Sequence, residues 1–308
     1  MAFAQREKGK HIITTSIEHH AVLKTCEQLA KYFGYAITYL PVDAHGTVDP
    51  DDVARAITPC TILISVMYAN NEVGTIEPIA AIGKIAREHN IFFHTDAVQA
   101  GGALNLHVDE LNVDLLSLSA HKFYGPKGIG ILYVRPGVQL VPTQTGGSQE
   151  FDLRAGTENV PSIVGMAAAL QIAQDNQAAN NAKLTDQRDR LVQSILDRIP
   201  IARLTGHPIR RLPNHASFTF QGIDPEPLTM GLDREGICAS GGSACSSGSL
   251  EPSHVLTAMG IPPARSLASL RMTLGSENTD ADMEYVVAVL PTIIERIQEI
   301  TATFELKS

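Results

Sequence analysis

Ser117-Leu118-Ser119-Ala120-His121-Lys122-Phe123-Tyr124-Gly125-Pro126-Lys127-Gly128 sets a lysine directly after the apolar run 113–118 and directly before a Gly/Pro turn. A lysine so placed is expected to end a buried strand in a pocket. Desolvation there disfavours the ammonium and lowers its pKa, the condition a Schiff-base lysine needs. Upstream, Asn90-Ile91-Phe92-Phe93-His94-Thr95-Asp96 ends a second apolar strand on a carboxylate. A lysine able to condense with an aldehyde and an aspartate able to pair a pyridinium nitrogen are together the protein half of pyridoxal 5'-phosphate (PLP) chemistry. Plainer readings stand beside this one: Lys122 as a surface lysine in a turn, and Asp96 as the cap of a following helix.

Around these two residues the first half of the chain alternates apolar and helical stretches. Strands are expected over 11–16, 36–41, 61–67 and 91–94, and helices over 20–33, 50–57 and 79–89. Strands that alternate with helices imply βαβ units and a mostly parallel sheet covered on both faces, an α/β fold. Ligands of such sheets lie beyond the carboxyl ends of the strands. Asn71, Asp96, Ser119, His121 and Lys122 all fall at or just after expected strand ends. His19 and His20 precede the first long helix, where capping or surface roles are the plain alternatives.

The second half changes character. Residues 161–175 are apolar and Ala-rich enough to read as a buried helix, and 181–198 as a charged amphipathic one. The polar stretch 176–180 between them marks a boundary, giving a large cofactor-binding domain over 1–176 and a smaller α+β domain over 177–308. In the latter, strands are expected over 216–220 and 267–273, and helices over 226–235, 253–259 and 280–300. Arg271 sits in the alternating run 267–275, where a strand-edge ion pair is the plain reading and a substrate-carboxylate clamp the functional one. The stretch 239–253 is dominated by Gly and Ser, residues that are costly to order and bring little apolar surface. Cys245 within it is a candidate reactive thiol, with a tight small-residue turn as the alternative. Cys26 and Cys60 read as small apolar residues packed on a helix and near a turn.

At 308 residues the chain exceeds what one core usually serves, and its formal net charge of −9 argues against a nucleic-acid groove or an anionic membrane as the main partner. No apolar run approaches a membrane span, and the first ten residues lack the apolar core of a signal peptide, so a cytoplasmic location is expected. The 4 cysteines have neither C-x-x-C nor zinc-finger spacing.

Glu18-His19-His20-Ala21-Val22, Asn70-Asn71-Glu72-Val73-Gly74, His94-Thr95-Asp96-Ala97-Val98-Gln99, the stretch 119–128 and Gly242-Ser243-Ala244-Cys245-Ser246 together resemble a cysteine desulfurase of the NifS/IscS type, in the class V aminotransferase family. The resemblance runs through nearly the whole chain. It implies a fold-type I PLP enzyme, a homodimer, that converts L-cysteine to L-alanine and leaves a persulfide on Cys245. That sulfur would go to an acceptor or scaffold protein for iron–sulfur cluster assembly, with Cys245 as a transient iron–sulfur ligand and no resident metal. By motif, Lys122 would hold PLP covalently, Asp96 would keep its pyridine nitrogen protonated, and His19 would stack on the ring and assist proton transfer. Asn71 and Gln99 would bond the phenolic side of the cofactor. Ser119 and His121 would hold its phosphate, and Thr157 would reach the phosphate of the partner subunit. Arg271, with Asn71 beside it, would pair the substrate carboxylate through its planar fork.

The resemblance also implies an upstream segment carrying an Asp-Asn-Ala-Ala-Thr-Thr-like start and a Gly-Ala-Thr-Glu-like phosphate loop at a helix N-terminus. No stretch here matches either, so weakened cofactor binding and impaired activity are expected. Two rival functions share the same residues. A PLP enzyme of other specificity, such as a selenocysteine lyase or an aminotransferase, would keep Lys122 and Asp96 without needing Cys245. A non-catalytic dimerisation or scaffold partner would keep the fold without productive PLP.

Overall fold

The computed structural model describes residues 1–241 and 252–305, which divide into two compact units. The first comprises Met1–Pro41, Val48–Ala69 and Glu77–Gln177; the second comprises Val42–Thr47, Asn70–Ile76 and Ala178–Ser308.

The first unit is built on a six-stranded sheet. Its strands are β1 (His11–Thr15), β2 (Ala36–Leu40), β3 (Thr61–Ser65), β4 (Phe92–Asp96), β5 (Leu115–Ser119) and β6 (Gly130–Val134), in the order β2-β1-β3-β4-β5-β6. Every pairing is parallel except β5 with β6. Between the strands run α1 (His20–Phe33), α2 (Pro50–Ala56) and α3 (Ile79–Glu88), and α4 (Val160–Asp175) follows the last strand. The sequence explains their limits. α1 starts where the His19 ring accepts the Ala21 N–H at 3.2 Å and stops at Gly34, whose left-handed φ of 71° a side chain would resist. α2 opens on the Asp49 cap with Pro50 at its first position and Asp51 and Asp52 in its first turn, where the helix dipole favours negative charge. Ile13, Ile64 and Phe93, all fully buried, stand in register on neighbouring strands, while Ile12, 1% exposed, packs in a cluster with Leu29, Tyr35 and Ile62. Burying side chains of this kind is worth about 1.5–3 kcal/mol each.

The second unit holds a three-stranded antiparallel sheet, β7 (Ala202–Leu204), β8 (His215–Phe220) and β9 (Ser269–Thr273), in chain order. Its helices are α5 (Gln177–Arg198), α6 (Pro225–Arg234), α7 (His254–Ala258), α8 (Pro263–Leu267) and α9 (Asp280–Glu305). Phe218, Phe220, Leu228, Leu232, Leu270 and Leu290 share one buried cluster. The early segments join this unit by backbone pairing: Thr75 bridges Arg211, and its hydroxyl donates to the His45 carbonyl at 2.6 Å.

Four sequence expectations differ from this fold. Residues 161–175 do form a helix, yet it is not buried: only Met166 is, while Val160, Ile163, Val164 and Ile172 are exposed. Ala-rich apolar composition sets helicity but does not say which surface covers the helix. The polar stretch 176–180 is helical from Gln177, because Asn, Gln and Ala bring no obligatory breaker. The expected strand over 267–273 begins at Ser269, since Pro263 starts a short helix that ends at Leu267. Cys60 is exposed, whereas Cys26 is buried as expected.

Candidate active site

The carboxyl edge of the large sheet collects most of the expected residues of the first unit. Asp96 is the last residue of β4, Ser119 the last of β5, and His19 follows the end of β1. Lys122 lies in a 3-10 turn, Ala120–Phe123, directly after β5. It is exposed, not buried as its position in the sequence suggests. The reason is local: the turn points Ala120 and Phe123 into the core and Lys122 away from it.

His19, Asp96 and Lys122 act on one another electrostatically. Burial raises the Asp96 carboxyl above its ordinary range, and the Val98 N–H, His19 and Lys122 hold it back. The Val98 N–H donates to Asp96 Oδ1 at 3.0 Å, a turn following the strand and not a helix cap. Burial lowers the His19 ring below its usual value, Asp96 opposes that shift, and Lys122 adds to it. The imidazole is therefore neutral near pH 7 and can accept a proton. Ser119 Oγ lies 2.8 Å from His121 Nδ1, so both expected phosphate ligands are side by side on the exposed end of β5. Gln99 is partly buried in the turn just beyond Asp96, and Thr157 is exposed in the loop before α4.

One buried and one partly buried residue under this edge escaped the sequence reading. Glu18 accepts the Thr15 hydroxyl at 2.8 Å and the Met67 N–H at 2.9 Å through Oε1, tying the exit of β1 to that of β3. Burial pushes its carboxyl up to about 8. His94 spans three strands, with Nδ1 2.8 Å from Ser65 Oγ on β3 and Nε2 2.9 Å from Ser117 Oγ on β5. Burial lowers its ring to about 4, so it stays neutral and fixes the lateral position of β4 two residues before Asp96. The polar alternation within β4 and β5 was the available signal: a histidine and serines inside apolar strands require partners.

The other expected residues belong to the second unit. Arg271, partly buried on β9, donates from Nη1 to the Asn71 carbonyl at 2.8 Å. It makes no ion pair among the described residues, contrary to the strand-edge reading. Next to Asn71, the buried Glu72 receives the Ser253 hydroxyl, and its carbonyl lies 3.0 Å from His215 Nε2. Gly74 is needed at this bend: its φ is +79°, and a Cβ there would sit 2.7 Å from the Cβ of His215. Cys245, the expected nucleophile, lies outside the described residues.

A mostly parallel sheet whose carboxyl edge carries a lysine, an aspartate and a histidine defines a class of cofactor-dependent enzyme. The chain belongs to the aminotransferase class-V family, whose model matches residues 1–286. It is 51% identical over 307 residues to the cysteine desulfurase IscS of Clostridium botulinum, an alignment covering 99% of this chain and 77% of that protein. With the cysteine desulfurase IscS of Methanosarcina thermophila it shares 53% identity over 301 residues, 98% of this chain and 74% of that one. Among solved structures, a NifS-like protein superposes with a TM-score of 0.88 at 36% identity, over 96% of this chain and 77% of that one. The fold is that of the fold-type I PLP enzymes, and PLP is the cofactor.

The residues at the sheet edge fit that cofactor. A carboxyl that burial destabilises as an anion gains most from a cationic ring nitrogen, and a hydroxyl–imidazole pair suits a phosphate. No helix among the described residues is long and apolar enough to cross a membrane.

Proposed function

We propose that this chain is a PLP-dependent cysteine desulfurase in which Lys122, Asp96 and His19 form the reaction centre and Cys245 receives the sulfur. The observation that carries the reading is the placement of His19, Asp96 and Lys122 at the carboxyl edge of one sheet, where they influence one another electrostatically, in a chain half identical to cysteine desulfurases. Residues 1–176 would be the cofactor domain and 177–308 the smaller domain. Asp96 would pair the pyridine nitrogen, Asn71 and Gln99 the phenolic side, and Ser119 and His121 the phosphate. PLP, when bound, serves as an electron sink for charge developing at the substrate's Cα and Cβ.

The chain's own residues do the rest. Arg271 pairs the carboxylate of L-cysteine and orients it, with Asn71 alongside. Lys122 removes the Cα proton and returns protons to the three-carbon product. His19, neutral by virtue of its burial, shares that proton traffic. The Cys245 thiolate bonds to the substrate sulfur as the Cβ–S bond breaks, and the electron pair of that bond stays with carbon. The products are L-alanine and a persulfide on Cys245, whose outer sulfur is passed to an acceptor or scaffold protein for iron–sulfur assembly. A cytoplasmic location fits that role.

The exposed apolar residues Tyr124, Phe151, Val160, Val164 and Ile172 of the first unit support a homodimer, in which Thr157 reaches the partner's phosphate. Sulfide and alanine release from L-cysteine by the PLP-loaded chain tests the function. Stoichiometric release that Cys245→Ala abolishes is expected; release that survives that substitution overturns the reading.

A further inference from the structure

Glu72 is a buried acid, 5% exposed, to which the reaction just described gives no proton to carry. Its setting is a chain of hydrogen bonds within the second unit. Ser253 Oγ donates to Glu72 Oε2 at 2.5 Å and accepts the Leu256 N–H at 3.2 Å, so one hydroxyl caps α7 and ties it to the carboxyl. The residue before Glu72 is held by Arg271, through Nη1 to the Asn71 carbonyl. Arg271 in turn pairs by backbone with Ser240, in both directions, at 2.7 and 3.2 Å. Ser240 and Ser253 lie on either side of Cys245 in the sequence. The flanks of the cysteine-bearing stretch are thus anchored on Arg271 and on the dipeptide Asn71-Glu72 that Arg271 grips.

Charge supports the arrangement. Burial pushes Glu72 up to about 7, while the Ser253 hydroxyl and the nearby Arg271 pull it down. Two other titratable groups lie against this bend: His215 is fixed at the Glu72 carbonyl and kept neutral by burial, its ring lowered to about 3, and Arg211 donates to the Val73 carbonyl at 2.9 Å.

We propose that Glu72 is a positioning residue for sulfur transfer: through Ser253 it fixes where the chain after Cys245 joins α7, on the same dipeptide that Arg271 holds. This rests on the desulfurase reading. It separates two reactions of the same centre. L-Cysteine needs a thiol acceptor for its sulfur, whereas the sulfur of L-cysteine sulfinate leaves unaided as sulfur dioxide, with the electron pair of the broken bond left on carbon.

The experiment compares sulfide release from L-cysteine with sulfite release from L-cysteine sulfinate in the PLP-loaded full chain. Glu72→Ala is expected to lower kcat for cysteine by about ten- to a hundredfold, the worth of one hydrogen bond to a charged group, with KM for cysteine and sulfinate turnover little changed. Ser253→Ala should give the same split. Glu72→Gln and Ser253→Thr, which keep an acceptor and a hydroxyl, should restore most of the cysteine rate. Equal losses on both substrates would reduce Glu72 to a general structural role, and an unchanged cysteine rate in Glu72→Ala would remove the role altogether. Wild-type chain that releases no sulfide, or Cys245→Ala that still does, would instead sink the desulfurase reading.

Discussion

Ser119 Oγ and His121 Nδ1 face each other at 2.8 Å on the exposed end of β5, so each is oriented by the other before any anion arrives. Ser119→Ala should therefore weaken PLP binding by about ten- to a hundredfold, as expected for one charge-assisted hydrogen bond. His121→Ala should do the same, and the double variant should lose less than the product because the pair acts as a unit. Fluorescence titration with PLP checks this; strictly additive losses would mean the two side chains hold separate groups.

Lys122 is exposed on its 3-10 turn, free to reach a ligand at the strand ends. Borohydride reduction of the PLP-loaded chain followed by peptide mass spectrometry should place the pyridoxyl group on Lys122. An adduct on Lys127, five residues along, would reassign the anchor. Lys122→Ala should leave no reducible adduct.

Two sets of buried or partly buried groups should tilt stability with pH in opposite directions, over windows that overlap between pH 4.5 and 6.5. Glu18 and Glu72 have folded pKa values of about 8 and about 7, above the ordinary 4.5, so the folded state binds extra protons and loses stability as pH rises from 4.5 through those values. His94 and His215 are depressed from 6.5 to about 4 and about 3, so their contribution is complete above 6.5 and is lost as pH falls. Urea unfolding across this range should show Glu18→Gln flattening the loss of stability between pH 4.5 and 8 while leaving the histidine-linked loss below 6.5 in place. An unaltered slope between pH 4.5 and 8 would contradict the burial assigned to Glu18.

The exposed face of α4 predicts assembly. Val164 is 62% and Ile172 63% exposed. Replacing both by glutamate should shift the sedimentation coefficient from dimer to monomer without unfolding the first unit. A wild-type chain that already sediments as a monomer at micromolar concentration would rule out the homodimer.

Phe93 is wholly buried in β4, three residues before Asp96. Phe93→Ala should cost about 3–5 kcal/mol of stability. Cooperative unfolding followed by far-ultraviolet circular dichroism measures it, and a loss under 1 kcal/mol, about the scale of a surface change, would mean the site collapses around the cavity.

Elements with local punctuation were legible in the sequence. α1 matches its expected span because His19 and Gly34 mark its ends, and α2 follows from Asp49-Pro50. β6 went unread: Gly130-Ile131-Leu132-Tyr133-Val134 has strand composition, but its residues are half-buried or exposed, so no buried pattern announced it. The place of Asp96 at a strand end and of Lys122 just after one could be read because strand ends are visible as the close of apolar runs. Their burial could not, since a single turn decides which way a side chain points. Glu72 and Ser253 stand 181 positions apart, and only tertiary structure brings a carboxyl and a cap hydroxyl together over such a span.

The second unit draws on residues 42–47 and 70–76 as well as on everything after 177, so the chain passes between units after residues 41, 47, 69, 76 and 177. A ribosome releases Asn71, Glu72 and Thr75 more than a hundred residues before Arg211, Ser253 and Arg271 exist to receive them. Those early segments must wait, and the unit can close only near the end of synthesis. A gene fragment beginning at residue 178 would encode the sheet and its helices but not the dipeptide that Arg271 grips.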